Sequence, residues 1–252
     1  MRVLDLFAGI GGFSLAAHWM GWETTAFCEK DKFCQKVLRK NFPNVPIHDD
    51  IRKIKEFDKY HGAVELISGG YPCQPFSVAG KQRGAEDDRH LWPSMLGIIK
   101  AVKPTWVVAE NVAGHVSMGL DDVLSDLEAE GYTSRALIIP ACAKDARHRR
   151  DRVWIIAHAN EQRTQILASG GQSSIKMFGS KIKKRGVNEQ TRPVESRFCG
   201  SLDGISPALD GNIKIPNRNA RIKALGNSIV PQVAFEIFKS IGEFDNESKE
   251  GK

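Results

Sequence analysis

The sequence predicts an α/β fold: a doubly wound, mostly parallel sheet with one antiparallel pair and a small inserted lobe. Three observations carry that expectation. Apolar strand-like runs alternate with helix-length segments from Met1 to Ile139. The first run ends in a glycine cluster, Gly9, Gly11 and Gly12, where folds of this kind approach a ligand. Two late apolar runs follow one another with no room for a helix between them, so they pair antiparallel.

Taken in order, "RVLDLFAG" is a strand and "GGFSLAAHWMGW" a helix, followed by the strand "TTAFCE" and the helix "KDKFCQKVLRKNF", in which Phe33, Val37 and Leu38 recur at helical spacing. "PIHDDI" forms a third strand and "AVELISGG" a fourth. In "LWPSMLGIIKAVK", Leu91, Met95, Ile98, Ile99 and Val102 share one helical face, and "TWVVAENV" is a buried strand. "DDVLSDLEAEGY" reads as a helix with an Asp N-cap, Leu124 and Leu127 facing inward and Gly131 as its stop. "RALIIPA" and "DRVWIIAHA" are the antiparallel pair. After Ala159 the texture turns to Gly, Ser, Asn and Lys without long apolar periodicity, which sets residues 160–220 apart as an insertion into a domain made of 1–159 and 221–252. Val230, Val233, Ala234, Ile237, Phe238 and Ile241 then make a closing helix, and the last ten residues are expected to fray.

The chain has 252 residues, 41% hydrophobic and 26% charged, the balance of a globular protein with its own core. No apolar stretch approaches the roughly 20 residues of a membrane span, and Asp5 and the early glycines do not suit a signal peptide. A cytoplasmic protein without a membrane partner is expected. Five cysteines in no paired or metal-ligand spacing argue against a disulfide framework and against a metal centre. The net charge of +6 is unevenly placed: Pro140 to Phe235 carries 17 Lys and Arg against 7 Asp and Glu, whereas Met1 to Ile139 carries 16 against 18. A polyanionic partner is the natural reading of that excess, although "KIKKRG" by itself reads better as a solvated loop.

Glycines at the end of the first strand and Glu29 at the end of the second suit a nucleoside: the backbone can approach closely and a carboxylate can accept from ribose hydroxyls. Ser14 breaks the GxGxxG pattern, which argues against a pyrophosphate, and the same glycines serve a plain tight turn equally well. Asp50, after the third strand, is a candidate for an adenine amino group or for a surface turn. "SGGYPCQPFS" sets Cys73 between Pro72 and Pro75 straight after a strand, on a loop and not in a core.

"DLFAGIGGFSLA", "GGYPCQPFS", "AENV", "RHRRDRVWIIA" and "ALGNSIVPQVA" occur in the order, and near the spacing, of the blocks of DNA (cytosine-5) methyltransferases. The chain resembles that family over nearly its whole length. The resemblance implies a Rossmann-like, S-adenosylmethionine-dependent methyltransferase fold, S-adenosyl-L-methionine as cofactor, double-stranded DNA as partner, a monomer, a restriction-modification setting, and a bacterial or phage-infected cytosol with association to the nucleoid. It also implies a mechanism. Cytosine C5 is a poor nucleophile, and a thiolate added to C6 turns it into an enamine that can take a methyl group. On this resemblance Cys73 attacks, Glu110 engages N3 of the base, and Arg150 with Arg152 hold the cytosine carbonyl and a phosphate. Phe7, Gly9, Ile10, Gly11, Glu29, Asp50, Ile51, Pro72, Leu91, Asn227 and Ser228 would surround the cofactor. Arg83 and Arg89 lie on a glycine-bounded loop that would close over DNA and help to extrude the target base. Residues 160–220 stand where the family keeps its target-recognition region, with Arg163, Gln190, Arg192 and Arg197 as open candidates for base contacts. The chain departs from the family pattern at His148 and at the "DAR" before it. Two alternatives remain: a tRNA cytosine-5 methyltransferase on the same scaffold, and a catalytically impaired DNA-binding relative.

Overall fold

The computed structural model describes residues 1–72, 91–117, 119–144, 150–160 and 217–250. Cys73, Arg83, Arg89, His148 and the base-contact candidates Arg163, Gln190, Arg192 and Arg197 lie outside the described residues. Contacts divide the chain into two compact units, Met1–Asn160 with Pro216–Lys252, and Glu161–Ile215. The first holds every described element.

Strands β1 (Arg2–Leu6), β2 (Glu23–Cys28), β3 (Ile47–His48), β4 (Leu66–Gly69), β5 (Trp106–Val112), β6 (Tyr132–Pro140) and β7 (Asp151–Ala159) form one sheet in the order 3-2-1-4-5-7-6. β1 to β5 run parallel, and β7 runs against both β5 and β6. The expected α/β fold and its antiparallel pair are present, but the reversed strand lies one place in from the edge. Helices α1 (Gly12–Trp19), α2 (Lys32–Asn41), α3 (Trp92–Val102), α4 (Leu120–Ala129), α5 (Arg218–Asn227) and α6 (Pro231–Glu250) complete the framework.

Successive strand residues point to opposite faces, and both faces here are covered, which is why the strands read as nearly unbroken apolar runs. Leu4, Leu6, Ile67, Val107 and Ala109 pack towards α3 and α4, with Met95, Ile98, Val123 and Leu127. Val3, Leu66 and Val108 pack on the other side towards α1 and α6, with Phe13, Ala17, Val233 and Phe238.

Several local expectations are corrected. α4 is entered through Gly119, not through an Asp cap; Asp121 and Asp122 lie in its first turn, where negative charge suits the helix dipole. Leu120, Val123 and Leu127 are its buried residues, and Leu124 only leans on the core. In α2 the buried residues are Cys34, Gln35 and Leu38, with Phe33 and Val37 only half-buried, and Asp31 caps the helix, accepting from the amides of Phe33 at 2.8 Å and Cys34 at 3.0 Å. Such a cap is worth about 1 kcal/mol. The connection from β3 to β4 contains a 3-10 helix, Ile54–Tyr60, that no periodicity announced.

The closing segment is two helices and not one. Ser228 is extended, and Pro231 opens α6; proline lacks an amide hydrogen and disfavours helix in the residue before it. α6 then runs to Glu250, through the residues expected to fray. Trp106 Nε1 donates to Asp245 Oδ1 at 3.0 Å, and the Phe244 ring meets Trp106 and His158 edge-on, with centroids 5.6 and 5.3 Å away. Among the described residues, no helix is long and apolar enough to cross a membrane, and no cluster of side chains could hold a metal ion.

Candidate active site

Parallel strands deliver their carboxyl ends to one side of the sheet, and ligands of such folds bind there. In this chain those ends, together with α5, line a cleft of about 600 Å³. That volume falls within the roughly 300–1,000 Å³ of small-molecule sites.

One end of the cleft is formed by the turn after β1 and by the ends of β2 and β3. Glu29 Oε2 accepts from the amide of Gly9 at 2.7 Å, and Oε1 accepts from the amide of Asp31 at 2.7 Å. Its own carbonyl accepts from Gln35 Nε2 at 2.6 Å. Burial pushes the Glu29 carboxyl above its ordinary range, while the two amides draw it back down. Each carboxylate oxygen keeps a second acceptor position for a ligand. A Cβ built on Gly9 meets nothing within 4 Å, so the space beside it is open. Asp50 is gripped by Arg52, whose Nε reaches Oδ1 at 2.9 Å and whose Nη2 reaches Oδ2 at 2.9 Å. That hydrogen bonding holds its carboxyl at about 2. Both Asp50 oxygens are therefore engaged before any adenine amino group arrives.

The other end lies between β4, β5 and β7. Glu110, only 8% exposed, receives Arg152 Nε on Oε1 at 2.8 Å. A Cβ on Gly70 would stand 3.2 Å from Glu110 Oε2, so glycine there makes room for the carboxylate. Burial raises the Glu110 pKa; the charges of Arg152 and Arg150 oppose it without cancelling it. The carboxyl is thus biased towards the protonated form, a donor. Arg150 points into the same cleft, but its Nη2 donates to the carbonyls of Gly226 at 2.6 Å and Ser228 at 3.0 Å, capping the end of α5. A cation there is worth about 0.3–1 kcal/mol. Its Nε is buried with no partner among the described residues.

Of the expected residues, Phe7, Gly9, Glu29, Asp50, Ile51, Pro72, Leu91, Glu110, Arg150, Arg152 and Asn227 line this one cleft. Phe7 does so with φ of +55°, a conformation that side chains rarely adopt. Ile10, Gly11 and Ser228 do not line it. Gly11 faces Leu38 and Phe42 behind the turn, and Ser228 donates to the Ile229 carbonyl at 3.2 Å. The Ser228–Ile229 pair packs on the start of α1, where a Cβ on Gly12 would come 2.6 Å from Ile229 Cγ1. Cys28 and Cys34 are buried with their thiols pushed up by burial to about 12, which leaves them unreactive.

Sequence reasoning did not place Asp31, Arg52, Tyr71 or Lys223 in the cleft, which they also line. Asp31 was findable, as an Asp immediately before a helical run. Asp5 was noted only as out of place in a signal peptide, not for its position in the fold. It is fully buried on β1, accepts from Ser14 Oγ at 2.8 Å and Ser68 Oγ at 3.3 Å, and burial raises it to about 7. Ser14, the residue that breaks the glycine pattern, is there for this contact.

The chain matches the family model described as C-5 cytosine-specific DNA methylase over residues 1–195. It is 35% identical over 232 residues to the Type II methyltransferase M2.BsuMI of Bacillus subtilis (strain 168), covering 82% of this chain and 58% of that protein. It is 34% identical over 170 residues to the Type II methyltransferase M.HhaI of Haemophilus parahaemolyticus, covering 66% of this chain and 51% of that one. The chain thus spans little more than half of either relative. Among solved structures it superposes on a putative DNA modification methyltransferase encoded within a prophage of E. coli, with a TM-score of 0.53 and 26% identity, covering 63% of this chain and 47% of the other. It shares its fold with the Dnmt2 methyltransferase of S. pombe, with a TM-score of 0.56 and 21% identity, covering 68% and 57% of the two chains.

Proposed function

The chain belongs to the C-5 cytosine-specific DNA methylase family, and from that premise we propose that it transfers a methyl group from S-adenosyl-L-methionine to C5 of cytosine in double-stranded DNA, through a transient covalent bond between Cys73 and C6. The observation that carries the proposal is Glu110: a carboxyl biased to protonation by burial, held by Arg152 at 2.8 Å, beside the Gly70 backbone that leads to Cys73.

The residues present fit the cofactor. The cleft has the volume for it, Glu29 keeps acceptor capacity at one end, and the space beside Gly9 is open. When bound, S-adenosyl-L-methionine supplies the electrophilic methyl group. The chain's own residues do the rest. The Cys73 thiolate adds to C6, and Glu110 donates to N3, so the charge that builds on the ring is met by a proton donor. Arg152 keeps that carboxyl oriented and offers its remaining N–H groups to the cytosine carbonyl. Arg150 ties β7 to the segment carrying Asn227, so the base side and the cofactor side of the cleft share one strut. After transfer, loss of the C5 proton lets the ring expel the sulfur and restores the aromatic base.

On this reading residues 1–159 and 221–252 bind the cofactor and catalyse, and 160–220 recognise the target. The basic excess after Pro140 meets phosphate. The protein acts as a monomer in the cytoplasm, associated with DNA, in a restriction-modification setting. A duplex of mixed sequence carrying 5-fluorocytosine tests the proposal, because fluorine at C5 cannot leave as a proton does and the adduct persists. The wild-type protein is expected to form a covalent complex in the presence of cofactor, and Cys73→Ser none. Methylation of tRNA with no trapped duplex would overturn the DNA reading.

A further inference from the structure

We propose that Tyr71 and His115 form a positioning pair that sets the start of the Cys73 loop against Glu110; this rests on the methyltransferase reading and adds two residues to it. Tyr71 follows Gly70 at the end of β4 and precedes Cys73 by two positions. His115 lies in the 3-10 turn Ala113–Ser117 that follows β5, five residues after Glu110. The Tyr71 hydroxyl and His115 Nε2 are 2.7 Å apart, and the rings meet at 78° with centroids 5.4 Å apart. The bond therefore joins the two chain segments that lead to the attacking sulfur and away from the acid.

The pair is buried, with Tyr71 4% and His115 7% exposed. Burial lowers the His115 pKa, so the imidazole is neutral, and one N–H or lone pair at Nε2 answers the phenol. Two polar groups in such a place are not needed for packing, since an apolar pair would fill the same volume without the cost of desolvation. What a hydrogen bond adds is direction. Tyr71 is held from two further sides: its ring packs on Trp92 with centroids 5.1 Å apart, and its carbonyl accepts from Asn111 Nδ2 at 3.1 Å. Trp92 is itself anchored through Nε1 to Asp126 Oδ2 at 2.8 Å. Beside the Trp92 contact on the ring and the Asn111 bond on the backbone, the hydroxyl bond adds a tie between β4's end and the turn after β5. A sulfur displaced by a fraction of an ångström from C6 adds more slowly, because addition requires near-attack geometry.

The test follows adduct formation on 5-fluorocytosine duplex at saturating cofactor, beside binding of S-adenosylhomocysteine. Tyr71→Phe keeps the ring and its packing and is expected to slow adduct formation about tenfold, the worth of one hydrogen bond. In His115→Leu, which lies outside the cleft lining, cofactor binding should stay within about twofold of wild type, since a purely positioning contact acts on the transition state. His115→Gln retains a hydrogen-bonding side chain and is expected to keep most of the rate, whereas His115→Leu falls to the level of Tyr71→Phe, and the double variant Tyr71→Phe with His115→Leu is no slower than either. Wild-type adduct rates in Tyr71→Phe, with only a lowered Tm, would sink the positioning role and leave the methyltransferase reading standing. No adduct with the wild-type protein would remove both.

Discussion

At the cofactor end of the cleft, the two carboxylates are held by partners within twenty residues along the chain: Glu29 by the amides of Asp31, two residues on, and of Gly9, twenty residues back, and Asp50 by Arg52 two residues on. At the chemical end the partners come from far away. Glu110 meets Arg152 across two antiparallel strands, Arg150 reaches carbonyls 76 and 78 residues along the chain, and Tyr71 bonds to His115 at a separation of 44. The first end needs only the first three strands and the turns that follow them. The second exists only when the whole sheet is assembled, and there burial raises the key carboxyl's pKa against the pull of two arginines. Binding should therefore depend on the first end and rate on the second.

Glu110→Gln breaks the comparison most directly. The amide keeps the size and can still donate to N3, but it cannot give up a proton, and Arg152 loses its buried partner. General acid chemistry is worth about 10²–10⁴ in rate, and kcat is expected to fall within that range while cofactor affinity hardly moves. A comparable fall in both, measured by single-turnover methylation and by cofactor titration, would mean that the two ends are not separable. Glu29→Gln is the converse. One of the two amide contacts then faces an NH₂ group, and cofactor affinity is expected to drop about tenfold or more, the value of a hydrogen bond to a charged group, with kcat at saturation unchanged.

The same division explains what could be read in advance. The alternation of strand and helix and the glycine turn are short-range patterns, and Glu29 follows from its place at the end of the next strand. The break between α5 and α6 was also signalled, by Pro231, although the apolar periodicity on either side concealed it. Arg150's engagement with Gly226 and Ser228, and the helical continuation past Glu243 onto Trp106, left no local mark, because each depends on which strand lies next to which. Asp5 is the instructive omission. Within "RVLDLFAG" a single acid among apolar residues reads as an interruption, and only the fold reveals that Ser14 and Ser68 converge on it.

Asp5 also offers the finest test, since it joins the two ends: Ser14 belongs to the helix after the glycine turn, and Ser68 to the strand that leads to Gly70. Its carboxyl titrates at about 7 in the folded protein, raised from 3.8 by burial. Between those two values the folded state holds a proton that the unfolded chain has released, so stability falls as pH climbs through that window and levels off above it. An asparagine in its place would carry no such burden. The amide oxygen can accept from Ser14, and Ser68 can turn its hydroxyl to accept from the amide nitrogen. Asp5→Asn is therefore expected to leave stability near wild type at pH 4 and to raise it by an amount on the order of 1–4 kcal/mol at pH 8, read from urea midpoints at the two values. If the substitution lowers stability at pH 8 instead, the serine hydroxyls and the start of α1 prefer the anion strongly enough to overcome burial, and Asp5 is a charged cap for the helix beside the cofactor end.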